Sequence, residues 1–267
     1  MKVGILGSNS SLGEALAKYL SDKGVETISI GRQHSSYCHH TKFFDLSNPV
    51  NVNEIFTEKM KAIVLLSWIQ KPRNKSSMDK NLSAYSKIID SAHNNNVKVI
   101  LISTLGSIGE SDSIHVNYKK LVENTLNDGD QILRPATIVS NGKVLGKLAK
   151  SNYKSIVNIR TDLLIPIVEL DNVIKAIEKS INSTELIESV LLDKTVELTF
   201  PLTNVKPRNY LFIKSKNLNL FFKSLNLIKI SFISDLVDSW YALFGLQEYL
   251  PKLSKSGGLD SKLVIEE

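Results

Sequence analysis

The sequence predicts an α/β fold, a doubly wound parallel sheet with a smaller C-terminal lobe, and three observations carry that prediction. Short apolar runs alternate with segments whose apolar residues recur at helical spacing from residue 2 to about residue 135. One of these runs, Lys61-Ala-Ile-Val-Leu-Leu-Ser67, is apolar throughout after a charged entry, as expected of a parallel strand covered on both faces. The first run, from Lys2 to Leu6, passes through a turn of small residues bounded by Gly7 and Gly13 and straight into a helix with Leu12, Ala15, Leu16, Tyr19 and Leu20 on one side. Such a strand–turn–helix is a phosphate cradle. The helix start offers unpaired N–H groups and a partial positive charge, and glycine permits close approach to the backbone.

Composition narrows the field. A chain of 267 residues can bury a full core and corresponds to one large domain or one and a half. The net charge is +6, but the basic residues are scattered with no long run or aromatic interleaving. No nucleic-acid partner is therefore expected, and anionic small molecules are an equal use for the positive potential. The single cysteine, Cys38, excludes an intramolecular disulfide and a Cys-rich zinc site. Cys38-His39-His40 stands in a polar stretch with His34 but without spaced acids, so no metal is expected there. With no leader pattern and no apolar stretch long enough to span a bilayer, the expected location is cytoplasmic, with no transmembrane segment.

Taken in order, Val25 to Ile30 alternates as a second strand and ends at Gly31-Arg32. In dinucleotide folds this strand end meets the adenosine ribose, where an acid suits a 2′-hydroxyl and an arginine a 2′-phosphate, so Arg32 leans the cofactor toward NADP over NAD. Thr41 to Leu46 forms a third strand. At its end Asp45, beside Leu46, suits either an adenine amino group or a cap on the turn that follows. The fourth strand ends at Ser67-Trp68, near the cofactor. Lys71 to Asn81 is polar without a strong period, and a helix then carries Leu82, Tyr85, Ile88, Ile89 and Ala92. Val97 to Ile102 is the fifth strand, and the hydroxyls of Ser103 and Thr104 fall at its carboxyl end, where such sheets place their chemistry. A helix beginning at Asp112 or Ser113 puts His115 and Lys119 one turn apart on the same face. Gln131 to Pro135 is a sixth strand, Ser155 to Arg160 is strand-like, and Asp171 caps a helix with Val173, Ile174, Ile177 and Ile181 inward. Residues 187 to 200 read as one or two strands, and the aromatic stretch from Phe232 to Leu250 reads as core packing.

These motifs, in this order, resemble the short-chain dehydrogenase/reductase superfamily, specifically its extended and atypical branches of nucleotide-sugar epimerases, dehydratases and reductases. The turn Gly7-Ser-Asn-Ser10-Ser-Leu-Gly13 is similar to the family's three-glycine turn with serine in the middle place. Ser103-Thr104 matches its hydroxyl motif, Arg134-Pro135 its Arg-Pro after the sixth strand, and Ile167-Val-Glu-Leu-Asp171-Asn-Val173 its later apolar-Asp-Val segment. The tail from Leu253 to Lys262 looks like the sugar-epimerase ending.

The resemblance implies a Rossmann-type cofactor domain over residues 1–142, rejoined by the helix at about 171–182, and a substrate lobe over most of residues 143–267. It implies that Gly7, Ser10, Leu12 and Gly13 line the pyrophosphate, that Arg32, Asp45 and Leu46 bracket the adenosine, that Ser67 and Pro135 border the cofactor, and that Lys119 holds the nicotinamide ribose. It further implies a small polar substrate such as a nucleotide-linked sugar, and a homodimer.

The departure lies at the catalytic centre. Lys119 and Glu123 keep the family's spacing, while the place of its tyrosine holds His115. Tyr118 adjoins the lysine and projects from another part of the helix. Thr104 or Ser103 would polarise the substrate oxygen, and His115 would take over the proton transfer, which imidazole supports because its reference pKa is about 6.5. Imidazole is shorter than phenol, so a substrate must sit closer or a water must bridge. Two readings stand side by side: a working enzyme, and a catalytically degenerate cofactor binder acting as a sensor or scaffold.

Overall fold

A computed structural model of the chain describes residues 1–56, 59–70, 72–140, 143–144, 158–183, 187–200, 210–212, 238 and 241. Seven strands form one parallel sheet: β1 (Lys2–Leu6), β2 (Glu26–Gly31), β3 (His40–Phe43), β4 (Ala62–Leu65), β5 (Lys98–Ile102), β6 (Gln131–Pro135) and β10 (Ile187–Leu191). Their order across the sheet is β3-β2-β1-β4-β5-β6-β10, and every pairing is parallel. The doubly wound sheet expected from the sequence is therefore present.

Alternate residues of each central strand feed opposite faces, which is why the runs are apolar throughout. Val3, Ile5, Ala62, Val64, Ile100 and Ile102 pack with helices α1 (Ser11–Asp22) and α5 (Leu170–Asn182), whereas Ile63, Leu65, Val99 and Leu101 pack with Met78, Tyr85, Ile88 and Ile89 of α3 (Lys75–Asn94). The short α2 (Val52–Ile55) lies on the α3 face, as does α4 (Ile114–Glu123) through Val122.

Two helix starts differ from the sequence expectation. Helix α3 begins at Lys75, inside the stretch that lacks a periodic pattern, because the Asn74 side chain accepts from the Ser77 amide at 2.9 Å and the polar Asn81 turns inward. Asn81 is fully buried and bonds both the N–H and the C=O of Ile69, at 2.8 and 3.2 Å. Helix α5 begins one residue before Asp171, so Asp171 sits in the first turn and is not the cap. The capping function passes to Asp193, which accepts from the Glu169 amide at 2.6 Å and the Asn172 side chain at 3.0 Å.

A second sheet contains β7 (Thr137–Ser140), β8 (Lys143–Val144), β9 (Asn158–Glu169), β11 (Lys194–Phe200) and β12 (Tyr210–Phe212). Helix α5 packs on the main sheet, and strand β10 pairs with β6 within it. Apart from Asp238 and Tyr241, the aromatic stretch at 232–250 and the tail at 253–262 lie outside the described residues. Among the described residues no helix is long and apolar enough to cross a membrane.

Candidate active site

Strand order reverses between β1 and β4, opening a crevice at their carboxyl ends. The glycine turn lies there. Gly7 adopts φ +92°, in the left-handed region, and its Cα faces the Ser67 backbone so closely that a Cβ would come within 2.9 Å of the Ser67 nitrogen. Gly13 packs the start of α1 onto the turn, where a Cβ would overlap the Gly7 carbonyl and reach 2.7 Å from Ser8 Cα. Ser10 is the N-cap: its Oγ accepts from Gly13 N at 3.0 Å, and its carbonyl accepts from Glu14 N at 2.8 Å. The amides of Ser11 and Leu12 are left without an acceptor among the described residues. Two free donors at a helix start beside a glycine turn fit a pyrophosphate. The residues present thus suit the phosphate portion of a dinucleotide.

On the β2–β3 side, Arg32 is exposed at the end of β2 and its charge reaches Asp45. Asp45 Oδ1 accepts from both the amide and the hydroxyl of Ser47, at 2.9 and 2.7 Å, so it caps the following turn. Those hydrogen bonds, with Arg32 adding to them, hold its carboxyl below the usual range. Leu46 is buried in the α3-side core. The histidines beside Cys38 are engaged locally: His39 Nδ1 accepts from the Thr27 amide at 3.1 Å, and His40 Nε2 meets Glu26 at 2.6 Å.

At the carboxyl end of β5 the two neighbouring hydroxyls part company. Ser103 Oγ donates to Glu123, which also receives Ser107 Oγ at 2.6 Å and Arg134 Nη2 at 2.7 Å. Arg134 continues to Glu188 of β10 at 2.9 Å. Two residues matched to separate family motifs, Glu123 and Arg134, are thus one buried ion pair. Thr104 is only partly buried, and its hydroxyl has no partner among the described residues. Pro135 closes β6 opposite Leu191 and is buried.

His115 and Lys119 do converge, around an indole that sequence reasoning noted only in passing. Trp68, just past Ser67, places its ring edge-on to His115 with centroids 5.7 Å apart and lies 4.4 Å from Lys119 Nζ. Tyr85 backs the indole at 5.2 Å and donates to the Ser67 carbonyl. Lys119 is 5% exposed, and its Nζ donates to the Ile102 carbonyl at 2.9 Å. Burial pulls its pKa down to about 8, with Glu123 opposing. Tyr118 points elsewhere, to Asp79 at 2.5 Å.

His115 Nδ1 is buried with no hydrogen-bond partner among the described residues, as is Trp68 Nε1. Burial first, and then the charges of Lys119 and Arg73, depress the His115 pKa from 6.5 to about 3. Between these values the unfolded chain binds the extra proton and the fold does not, so stability present at neutral pH is lost as pH falls through this window. The expected loss from this group is roughly 2–3 kcal/mol between about pH 7 and pH 4.5. Urea unfolding at both pH values checks it: His115→Gln is expected to be less acid-sensitive than wild type by that amount, and equal sensitivity would contradict the assignment.

Residues 3–127 match the model of the NAD dependent epimerase/dehydratase family. No curated protein sequence matches the chain. Among solved structures, MoeE5 in complex with UDP-glucuronic acid and NAD superposes with a TM-score of 0.63 at 12% identity, covering 81% of this chain and 91% of that one. The Thermus thermophilus UDP-glucose 4-epimerase complex with NAD gives 0.59 at 15% identity, covering 74% and 79%. The Bacillus cereus UDP-N-acetylglucosamine 4-epimerase gives 0.58 at 11%, covering 91% and 99%. At these identities the superpositions establish the fold, and the family match covers the glycine turn, the β5 hydroxyls and the His115–Lys119 helix together. Over residues 3–127, just under half of its length, the chain is similar to the NAD dependent epimerase/dehydratase family.

Proposed function

We propose that the protein is an NAD(P)-dependent oxidoreductase or epimerase of the short-chain type acting on a nucleotide-linked sugar or a similar small polar substrate. The observation that carries this reading is the pair of unpartnered amides, Ser11 and Leu12, at the crevice where the strand order reverses. In this reading Gly7, Ser10, Leu12 and Gly13 hold the pyrophosphate, and Arg32, with Asp45 and Leu46 behind it, flanks the adenosine. Ser67 and Pro135 border the nicotinamide half. The exposed Arg32 favours NADP, while NAD is the cofactor named for two of the three superposed structures. Residues 1–142 with α5 form the cofactor domain, and residues 143–267 supply most of a substrate lobe.

When bound, the nicotinamide supplies hydride chemistry, and this chain supplies oxygen polarisation and proton transfer. Thr104, with its hydroxyl free, donates to the substrate oxygen, while Ser103 steadies the strand end through Glu123. His115 is neutral at physiological pH but a weak base in the free protein, so this reading requires the bound substrate and cofactor to bring its pKa back toward the ordinary value before it takes a proton from a substrate hydroxyl. Lys119 Nζ gives one of its three donors to the Ile102 carbonyl and, in this reading, turns another to the nicotinamide ribose.

The runner-up, a degenerate sensor or scaffold, draws on that same commitment of Lys119 beneath Trp68. Purified protein is first titrated with NADPH and NADH, following the melting temperature, and then assayed spectrophotometrically with nucleotide sugars and their keto forms. Turnover abolished by His115→Ala with cofactor affinity retained is the expected result. Cofactor binding without turnover on any member selects the sensor reading.

A further inference from the structure

The start of α4, which carries His115, is completed by a residue far away in the chain. Ser113 is the local N-cap, and its Oγ accepts from Val116 N at 3.3 Å. The preceding free donor, the amide of Ile114, is met by Asp238 Oδ1 at 2.6 Å. The other oxygen of this carboxylate, Oδ2, accepts from Arg73 Nη1 at 3.2 Å. Asp238 is 6% exposed. The one buried carboxylate of Asp238 therefore contacts both the segment leading into α3 and the first turn of the helix that bears His115.

We propose that Asp238 is a positioning residue: through its contacts with Ile114 and Arg73 it orders the helix turn that carries His115. The physical basis is direct. An acid at a helix start interacts favourably with the aligned amides, and a buried acid needs a cation, which Arg73 supplies. Without the carboxylate, the Ile114 amide loses its acceptor and Arg73 loses this counter-charge beside His115, while Ser113 still holds only the Val116 amide. Ile114 is followed directly by His115, so fraying at this position moves the imidazole relative to Trp68.

This inference rests on His115 being the functional side chain of the site, but its test does not use turnover. Hydrogen exchange of peptides spanning residues 111–118 and carbethoxylation of His115 by diethyl pyrocarbonate at neutral pH, read by mass spectrometry, are measured in the full-length chain. In Asp238→Ala both are expected to accelerate about tenfold, the factor corresponding to loss of a capping interaction of about 1.4 kcal/mol. Exchange in α1 is expected to stay unchanged. Asp238→Asn keeps a carbonyl for the Ile114 amide and is expected to restore most of the protection. Arg73→Met is expected to fall between Asn and Ala. If Asp238→Ala does not fold, Asp238→Ser decides, with the same expectation. Acceleration spread evenly over α1 and α4, or no acceleration in 111–118, overturns the proposal, as does failure of Asn to rescue. Absence of turnover with every nucleotide sugar would count against the proposed activity and leave this result unaffected.

Discussion

Replacing Arg134 by methionine is expected to lower the free energy of unfolding by about 3–5 kcal/mol, the cost typical of removing one partner of a buried ion pair. Glu123 would keep the hydroxyls of Ser103 and Ser107 but lose the bond from Arg134 Nη2 and the two weaker ones from Nε, at 3.2 and 3.3 Å. Its side chain is 7% exposed, too little for water to replace a guanidinium. The damage is expected to reach function too, because the same carboxylate holds Ser103 at the end of β5, immediately before Thr104. Guanidinium chloride unfolding of Arg134→Met, Glu123→Gln and the double variant checks this. Each single change is expected to be costly, and the double variant is expected to cost less than their sum by at least about 1 kcal/mol, as for residues in contact. Additive losses would show that the two side chains act independently.

Gly13→Ala is expected to weaken the binding of added dinucleotide and so reduce the stabilisation it gives the protein. The new methyl group would overlap the Gly7 carbonyl and come within 2.7 Å and 2.8 Å of Ser8 Cα and carbonyl carbon, all backbone atoms that cannot rotate away. Either α1 shifts off the turn or the turn opens. Both displace the Ser11 and Leu12 amides that give the cradle its donors. Forced overpacking of this kind costs typically about 1–3 kcal/mol, and a binding loss of about 2- to 13-fold follows if half of that cost falls on cradle geometry. Gly24→Ala is the control. Gly24 also has a positive φ, +73°, but a Cβ there meets nothing within 4 Å, so it is expected to lose about 1 kcal/mol of stability through backbone strain with affinity unchanged. Equal affinity of Gly13→Ala and Gly24→Ala for NADPH and NADH, measured by fluorescence titration, would remove the glycine turn from the binding site.

How much of the site was legible follows from how local each signal is. Gly7 and Gly13 announced themselves because the turn needs them within one short segment. His115 and Lys119 were read as neighbours because helical spacing alone brings them together. Asn74 as the cap of α3 was also available locally, as an Asn three residues before Ser77 at the head of a later apolar period, but the polar run from Lys71 masked it. Trp68 gave less warning. An aromatic residue after an apolar strand signals burial, and nothing in its neighbours says that a lysine 51 positions later will lie against its face.

By itself the sequence determined the doubly wound class of the sheet, the positions of its first six strands along the chain and the place of the glycine turn, since period, chain direction and turn chemistry are properties of neighbouring residues. Only the tertiary structure decided which hydroxyl after β5 is free, by delivering Glu123 and Arg134 to Ser103 and leaving that of Thr104 without a partner among the described residues. It alone set His115 neutral and Lys119 near its titration point, because desolvation is a property of what surrounds a group. And it alone brought Asp238 to the first turn of α4, across 124 residues of chain, where its carboxylate accepts from both the Ile114 amide and the Arg73 guanidinium.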